Sequence, residues 1–179
     1  MTADTWVALL RGINVGRHKR VAMSELRALL LSLGYGNVRT HLQSGNALFT
    51  TDGGQAQELE AQITSRIDSD FGLDVKVLVR PAEELAAVVD HNPFVVRGVN
   101  PKELHVAFLS ASVPAKKRAG LNDDDFAPDE FLPGDRALYL RLPNGVIASR
   151  LPDWEKLWGL SVTQRNWNTV TRLRDLAAE

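Results

Sequence analysis

The chain has 179 residues, 44% of them hydrophobic and 24% charged, which is typical of a globular protein with a buried core. Its 21 Lys and Arg residues nearly balance its 22 Asp and Glu residues, so the net charge of −1 provides no overall field to attract a polyanion. Cysteine is absent, which excludes disulfides and thiolate catalysis, and no segment approaches about 18 consecutive apolar residues, so we expect a soluble cytoplasmic protein without a membrane partner.

The first eighty residues alternate between strand and helix patterns in the order βαββαβ. Short runs rich in apolar and β-branched residues predict the strands, and leucine and isoleucine residues on one helical face predict the helices. The turn Ser44-Gly45-Asn46 is typical of a connection between antiparallel strands. The predicted strands are 5–11, 37–43, 47–51 and 74–79, and the predicted helices are 24–33 and 55–70.

The second half repeats this order after a helix that begins at Pro81 and ends at His91-Asn92-Pro93. The predicted elements are strands at 103–110, 130–132, 136–142 and 160–163, helices at 114–119 and 152–159, and a last helix carrying Val170 and Leu173. The segment 144–149 fits a strand, a turn or the start of a helix.

The repeated order predicts an α+β fold, with two ferredoxin-like βαββαβ subdomains packed together and an additional C-terminal helix. We expect the first subdomain at 1–80 and a linking helix and loop at 81–102. The second subdomain, with the C-terminal helix, is expected at 103–179.

The loop Arg11–Gly16 follows a strand and precedes a helix, and the basic run 17–20 comes directly after it. Glycines let backbone N–H groups approach an anion, and a helix start adds positive potential. The patterns G-x-x-x-x-G-K-[ST] and G-x-G-x-x-G are both absent from the loop. The loop therefore fits either an anion site or an ordinary strand-to-helix turn.

Two further polar segments, Gln43–Asn46 and Thr163–Thr169, are open to the same two interpretations. A tight hairpin needs Gly and Asn for positive φ, whether or not a ligand binds there. In the second segment, one Asn is enough to cap the last helix, with Trp167 in the core. Five polar side chains nevertheless stand within six positions at the end of a helix where anions are favoured, which indicates a site as strongly as a cap.

No residue pattern indicates a metal or a cofactor, and we predict neither. The four histidines lack the H-x-x-x-H and H-E-x-x-H spacings, and Asp123-Asp124-Asp125 lacks the EF-hand ligand order. The acidic run is therefore interpreted as a solvated loop. Trp154 and Trp158 are four residues apart on a short predicted helix, and we expect them in a core or an interface.

Eight segments, in order along the chain, carry a resemblance to a known family: LLRGINVG, AMSELRALLLSLG, VRTHLQSGNALF, VLVR, NPF, LHVAFL, LPNG and TQRNWNTVTRL. Together they resemble the bacterial family known as domain of unknown function 1697. The resemblance implies an arrangement of two ferredoxin-like subdomains and no settled activity. It also implies that the three polar segments are family motifs.

The leading functional hypothesis is one pocket for a small anion, formed where the three motifs converge. Guanidinium and carboxamide groups suit a carboxylate, a phosphate or a nucleotide. His18 is the only nearby general-base candidate in the sequence, so a binding module is as consistent with the motifs as an enzyme. The predicted ligand-binding residues are Arg11, Asn14, Gln43, Ser44, Asn46, Arg165, Asn166 and Asn168.

Two other hypotheses come from different classes. Binding of single-stranded nucleic acid fits the βαββαβ order and the basic runs 17–20 and 116–118. The RNP1 pattern is missing, however, and the strands of the first half supply only Trp6 and Phe49 as stacking groups. A protein-interaction role, as a homodimer, would use exposed strand edges or the helix of Trp154 and Trp158.

Overall fold

The computed structural model describes residues 3–179, which form two compact units. The first unit comprises Met1–Ala86 with Arg172–Glu179, and the second comprises Ala87–Thr171. The chain therefore passes from the first unit to the second after Ala86, inside one helix. It returns to the first unit at Arg172, inside another helix. The boundaries at 80 and 103 stay sequence-based predictions of where the subdomains divide.

Each unit contains a four-stranded antiparallel sheet, with order β2-β3-β1-β4 in the first and β6-β7-β5-β8 in the second. The strands are β1 (Asp4–Leu10), β2 (Gly36–His41), β3 (Asn46–Thr51), β4 (Val77–Pro81), β5 (Leu104–Leu109), β6 (Glu130–Pro133), β7 (Ala137–Arg141) and β8 (Val162–Asn166). The helices are α1 (Met23–Ser32), α2 (Ala56–Phe71), α3 (Ala82–Asp90), α4 (Pro93–Val96), α5 (Ala115–Arg118), α6 (Trp154–Trp158) and α7 (Trp167–Ala178). The predicted α+β class, two ferredoxin-like subdomains with an added final helix, is confirmed.

In the first unit, the alternation of side chains along β1 directs one set of apolar groups towards the helices. Trp6, Ala8 and Leu10 join the core with residues of α1 and α2, such as Leu30 and Ile63. The intervening residues of β1 are buried as well, with Val7 and Leu9 fully covered. Burial on both faces explains why β1 reads as a continuous apolar run instead of an alternating one.

The second unit has its own core, built around an aromatic cluster. The indoles of Trp154 and Trp158 stack with ring centroids 4.7 Å apart, and Phe131 lies 5.0 Å from Trp154. Both indoles are buried among residues of this unit. The core interpretation of the pair is therefore correct, and the indoles offer little surface for a dimer contact.

The structure adds short elements that the sequence did not predict. Pro93 was expected to end a helix, but it begins α4, because the Asn92 side chain accepts a hydrogen bond from Phe94 N and caps a new turn. The acidic run 123–125 lies in a 3₁₀ turn that Asn122 caps in the same way. The segment 144–149 forms turns and no helix or strand.

Candidate functional site

The first two motifs lie against each other in the first unit. Leu10 N donates to Gly45 O at 2.8 Å, so the end of β1 is bonded to the β2–β3 hairpin. The Asn14 side chain crosses to the same hairpin and donates through Nδ2 to Gln43 O at 2.7 Å. The structure therefore brings together Arg11–Gly16 and Gln43–Asn46, which are separated by about thirty residues in sequence.

Gly45 is the packing centre of this loop pair. Its φ of +86° is left-handed, and a Cβ there would lie 2.7 Å from Ile13 Cδ1 and 2.8 Å from Leu10 Cβ. Ile13 itself is 1% exposed, so it anchors the first loop in the core. Only glycine satisfies both the backbone conformation and the available space.

Asn14 and Asn46 shape the two loops through their carboxamides. Asn14, at φ 57°, donates to Val21 O at 2.8 Å and accepts from Val21 N at 3.0 Å, in addition to its bond with Gln43. Asn46 is fully buried in β3 and donates to His41 O at 2.8 Å and to Ser44 Oγ at 3.1 Å. The ligand contacts predicted for these two residues stay predictions, whereas their structural role is visible.

The first loop and the segment that precedes β4 form a cleft lined by basic side chains, here called the basic cleft (Arg11, Gly12, Lys19, Asp74 and Lys76). No residue of the Gln43–Asn46 hairpin lines it. Its volume is about 270 Å³. Arg11 N donates to Lys76 O at 2.9 Å, and Lys19 Nζ donates to Asp74 O, so the three basic residues are tied to one another through the backbone of the segment entering β4. Of these, the sequence analysis selected only Arg11 as a ligand-binding residue. No sequence pattern around Lys76 indicates a ligand-binding residue, because the pairing of β1 with β4 is what brings Lys76 next to Arg11.

The third motif lies in the second unit, where β8 passes into α7. Asn166 Oδ1 accepts from Thr169 N at 2.8 Å, which is the N-cap bond of α7. Trp167 is buried at the first helical position, and Asn168 is exposed. The capping alternative is therefore realised by Asn166, and Asn168 is left on the surface.

Arg165 is 9% exposed, next to buried Thr163 on the same face of β8. Its Nη1 donates to Thr163 Oγ1 and to Gln164 O, both at 2.9 Å. Burial lowers the pKa of Arg165 to about 10, which leaves the guanidinium charged at pH 7. A buried charged group is stable only when it is hydrogen-bonded, so these bonds fix its position.

The buried residue Arg80 was missed by the sequence analysis. The guanidinium is fully covered in β4, with Nε 2.8 Å from Glu84 Oε1 and Nη1 3.7 Å from Glu60 Oε1. Glu60 also accepts from Val79 N at 2.8 Å. The cluster therefore joins β4 to α2 and α3 within the first unit, which is a structural role.

His41 is a second imidazole close to the motifs, where the sequence analysis named only His18. It lies at the end of β2, two residues before Gln43. Burial lowers the pKa of His41, and the positive charge of Arg172 lowers it further. Its neutral form is therefore favoured at pH 7, which is the form that a general base requires.

The aromatic groups nominated for stacking on bases are inside the first unit. Trp6 is 7% exposed and Phe49 is 1% exposed. Phe49 stacks on Tyr35, with ring centroids 4.4 Å apart. Neither ring offers a face to a nucleic acid base.

Residues 3–179 lack two further features, a metal-binding cluster and a membrane-spanning helix. In that part of the chain, no three His, Asp or Glu side chains are grouped so as to hold a metal ion. No helix there has both the length and the apolar character needed to cross a membrane.

The fold and the cleft define an α+β protein of two ferredoxin-like units, the first of which carries an interlocked loop pair and a basic cleft. The family model described as Protein of unknown function (DUF1697) matches residues 3–139, and the chain belongs to this family. The matched range contains the first two motifs and ends before Thr163–Thr169. The family description assigns no activity.

Among solved structures, the chain is similar to the conserved bacterial protein SP0830 from Streptococcus pneumoniae. The TM-score is 0.76 at 18% sequence identity, over 98% of this chain and 99% of that chain. At this identity the likeness supports the fold alone. No curated protein matches the chain.

Proposed function

We propose that the first unit binds a small phosphate- or carboxylate-bearing ligand in the basic cleft. The observation that carries the proposal is the convergence of Arg11, Lys19 and Lys76 on one cleft of about 270 Å³. A cleft of this size suits a single anionic group with a small attached body better than a dinucleotide.

The local charge supports an anion, although the whole chain is nearly neutral. Three cationic side chains face the cleft with a single carboxylate, that of Asp74. Clefts lined by one sign of charge concentrate ions of the opposite sign, and guanidinium groups bind carboxylates and phosphates through two parallel hydrogen bonds. The cleft therefore attracts an anion where the protein as a whole does not.

The loop that carries Arg11 and Lys19 is held in place by the neighbouring hairpin before any ligand arrives. The Asn14 carboxamide and the packing of Ile13 on Gly45 fix the loop that carries Arg11 and Lys19. Pre-organised groups bind with less loss of conformational entropy. A fixed loop that presents exposed basic side chains to a cleft thus favours a binding role over a purely structural turn.

The proposal is one of binding and names no reaction. Exposed Gln43 and Ser44 on the adjoining hairpin are retained as candidate contacts. The contribution of Arg165, Asn166 and Asn168 to the same ligand stays a sequence-based prediction. A cytoplasmic location is part of the proposal and is supported by the absence of cysteine.

Calorimetric titration with inorganic phosphate, pyrophosphate and succinate tests the proposal. Arg11→Ala and Lys76→Ala should each weaken binding by roughly tenfold or more, because each removes a charge-assisted hydrogen bond. Lys116→Ala, in α5 of the second unit, is the matched control and should leave binding unchanged. Absence of saturable binding of all three anions to the wild-type chain would refute the proposal.

An oligoribonucleotide titrated in parallel tests the polymer alternative. If the cleft takes a phosphate of a nucleic acid chain, binding should weaken linearly on a log–log plot against salt, and Arg11→Ala should reduce the slope by about one unit. Tight oligonucleotide binding without binding of the three small anions would favour the nucleic acid hypothesis instead.

A further inference from the structure

A second cavity in the first unit lies beside the edge strand β2 and has a volume of about 720 Å³. Its wall includes the polar side chains of Thr5, Asn37, Arg39 and Thr50, together with Ala177 and Glu179 at the end of α7. This volume is in the range of pockets that hold metabolite-sized ligands. None of these residues belongs to the basic cleft.

One carboxylate of the cavity wall, that of Glu179, lies between two guanidinium groups, of which that of Arg39 lines the cavity and that of Arg172 approaches Glu179 from outside the lining. Glu179 Oε2 lies 2.9 Å from Arg39 Nη1, and Glu179 Oε1 lies 3.8 Å from Arg172 Nη1. Arg39 also donates through Nη2 to Leu176 O, which fixes the orientation of its planar group. The arrangement is that of a carboxylate-binding site with a side chain of the protein in the ligand position.

The contact between Arg39 and Glu179 is exposed enough to be exchanged. The side chains of Arg39, Glu179 and Arg172 are 37%, 54% and 51% exposed. Ion pairs with this exposure contribute little net stability, because water competes for both partners. An incoming carboxylate can therefore replace that of Glu179 without a large loss of folding stability.

The edge strand is shaped at this cavity by a β-bulge. The register of β2 on β3 shifts between Gly36 and Arg39, and Asn37 between them has a left-handed φ of 47°. A Cβ on Gly36 would lie 2.8 Å from Thr50 Oγ1, so glycine leaves room for the hydroxyl on the cavity wall. Bulges are frequent next to binding sites, where they redirect side chains.

We propose that this cavity binds a small carboxylate-bearing ligand, whose carboxylate displaces Glu179 from Arg39 and Arg172. Thr5, Asn37 and Thr50 supply hydrogen bonds to the polar body of that ligand. Glu179 acts as an internal competitor, so the apparent affinity is reduced by the fraction of molecules in which it occupies the guanidinium pair.

The test is a titration with glutarate, followed by the ¹H–¹⁵N NMR signals of the Thr5 and Thr50 amides and of Arg39 Nε–H. The wild-type chain should show saturable shifts. Glu179→Gln should bind glutarate about two- to fivefold more tightly, because the competing ion pair is worth up to roughly that factor. Arg39→Gln should abolish the amide shifts.

The matched control is Asp175→Asn, which removes one negative charge from α7, four residues before Glu179, at a residue that pairs with Arg174 instead. It should leave the glutarate affinity at the wild-type value. Equal affinities for Glu179→Gln and Asp175→Asn, no saturable shift in Glu179→Gln, or binding of inorganic phosphate without glutarate would each overturn the proposal. Arg11→Ala should not affect this titration, which separates it from the test of the basic cleft.

Discussion

The two units end their first strand with the same backbone contact and place different residues there. Leu10 N donates to Gly45 O in the first unit, and Leu109 N donates to Arg136 O in the second, both at 2.8 Å. Arg136, like Gly45, has positive φ. The hydrogen bond therefore belongs to the shared fold, whereas the tight packing around Gly45 is particular to the first unit.

The next backbone hydrogen bond along the chain is also shared by the two units, but it joins residues of different charge. Arg11 N donates to Lys76 O, and the corresponding bond in the second unit joins Ser110 N to Ser161 O, both at 2.9 Å. Two basic residues thus stand in the first unit where the second has two serines. The basic cleft is therefore an addition to a common backbone frame and not a consequence of the fold.

The largest expected effect comes from breaking the packing that distinguishes the first unit. Gly45→Ala should destabilise the protein by about 3 kcal/mol, because a left-handed alanine costs about 1–2 kcal/mol and overpacking adds about 1–3 kcal/mol. Urea unfolding measures the change. Gly53→Ala has nearly the same φ, +85°, with nothing within 4 Å of the added Cβ, and should cost only about 1 kcal/mol. An equal decrease in the free energy of unfolding for the two variants would contradict this prediction, because it would show that the side chains of Ile13 and Leu10 move aside at little cost.

An intermediate effect is expected in the second unit, where the polar motif ends in a helix cap. Asn166→Ala should destabilise the protein by about 1 kcal/mol, because it removes the acceptor for Thr169 N. Asn168→Ala, on the exposed surface, should change stability by less than about 0.5 kcal/mol. Thermal unfolding of both variants makes the comparison, and a larger loss for Asn168→Ala would contradict the assignment of the cap.

The smallest expected effect is a pH dependence of stability, to which each unit contributes through one partly buried imidazole. Burial lowers the pKa of both His41 and His105 from the ordinary value of 6.5. Their neutral forms are favoured in the folded state, so stability is fully present above about pH 6.5 and declines as pH falls towards the lowered folded pKa. Unfolding free energies between pH 7.5 and 5 should fall, and His41→Gln and His105→Gln should each flatten the curve. An unchanged slope in both variants would contradict the burial argument.

The fold could be predicted from the sequence because its signals are local. Apolar periodicity and turns rich in Gly and Asn give the order βαββαβ twice, and the structure confirms it. The sequence pattern did not predict α4, because a proline such as Pro93 is compatible both with the end of one helix and with the start of another. The hydrogen bond from Phe94 N to the Asn92 side chain shows that a second helix begins here, and this bond is visible only in the folded structure.

The site could be predicted in part, for a related reason. Asn and Gly serve turns and ligands alike, so the sequence alone did not separate the loop-shaping roles of Asn14 and Asn46 from ligand contacts. Lys76 lies 65 positions after Arg11 and meets it through strand pairing, which no local pattern encodes. Arg39 was missed because its partner Glu179 is still more distant, 140 positions later in the sequence.

Titration of the ¹⁵N-labelled chain with inorganic phosphate, followed by amide shifts in both units, tests the central claim most directly. Saturable shifts are predicted at Arg11, Gly12, Lys19 and Lys76, with Ser110 and Ser161 unmoved. Equal shifts at the two serines, or no shifts around Arg11 at millimolar phosphate, would contradict the claim that the first unit carries an anion site which the second lacks.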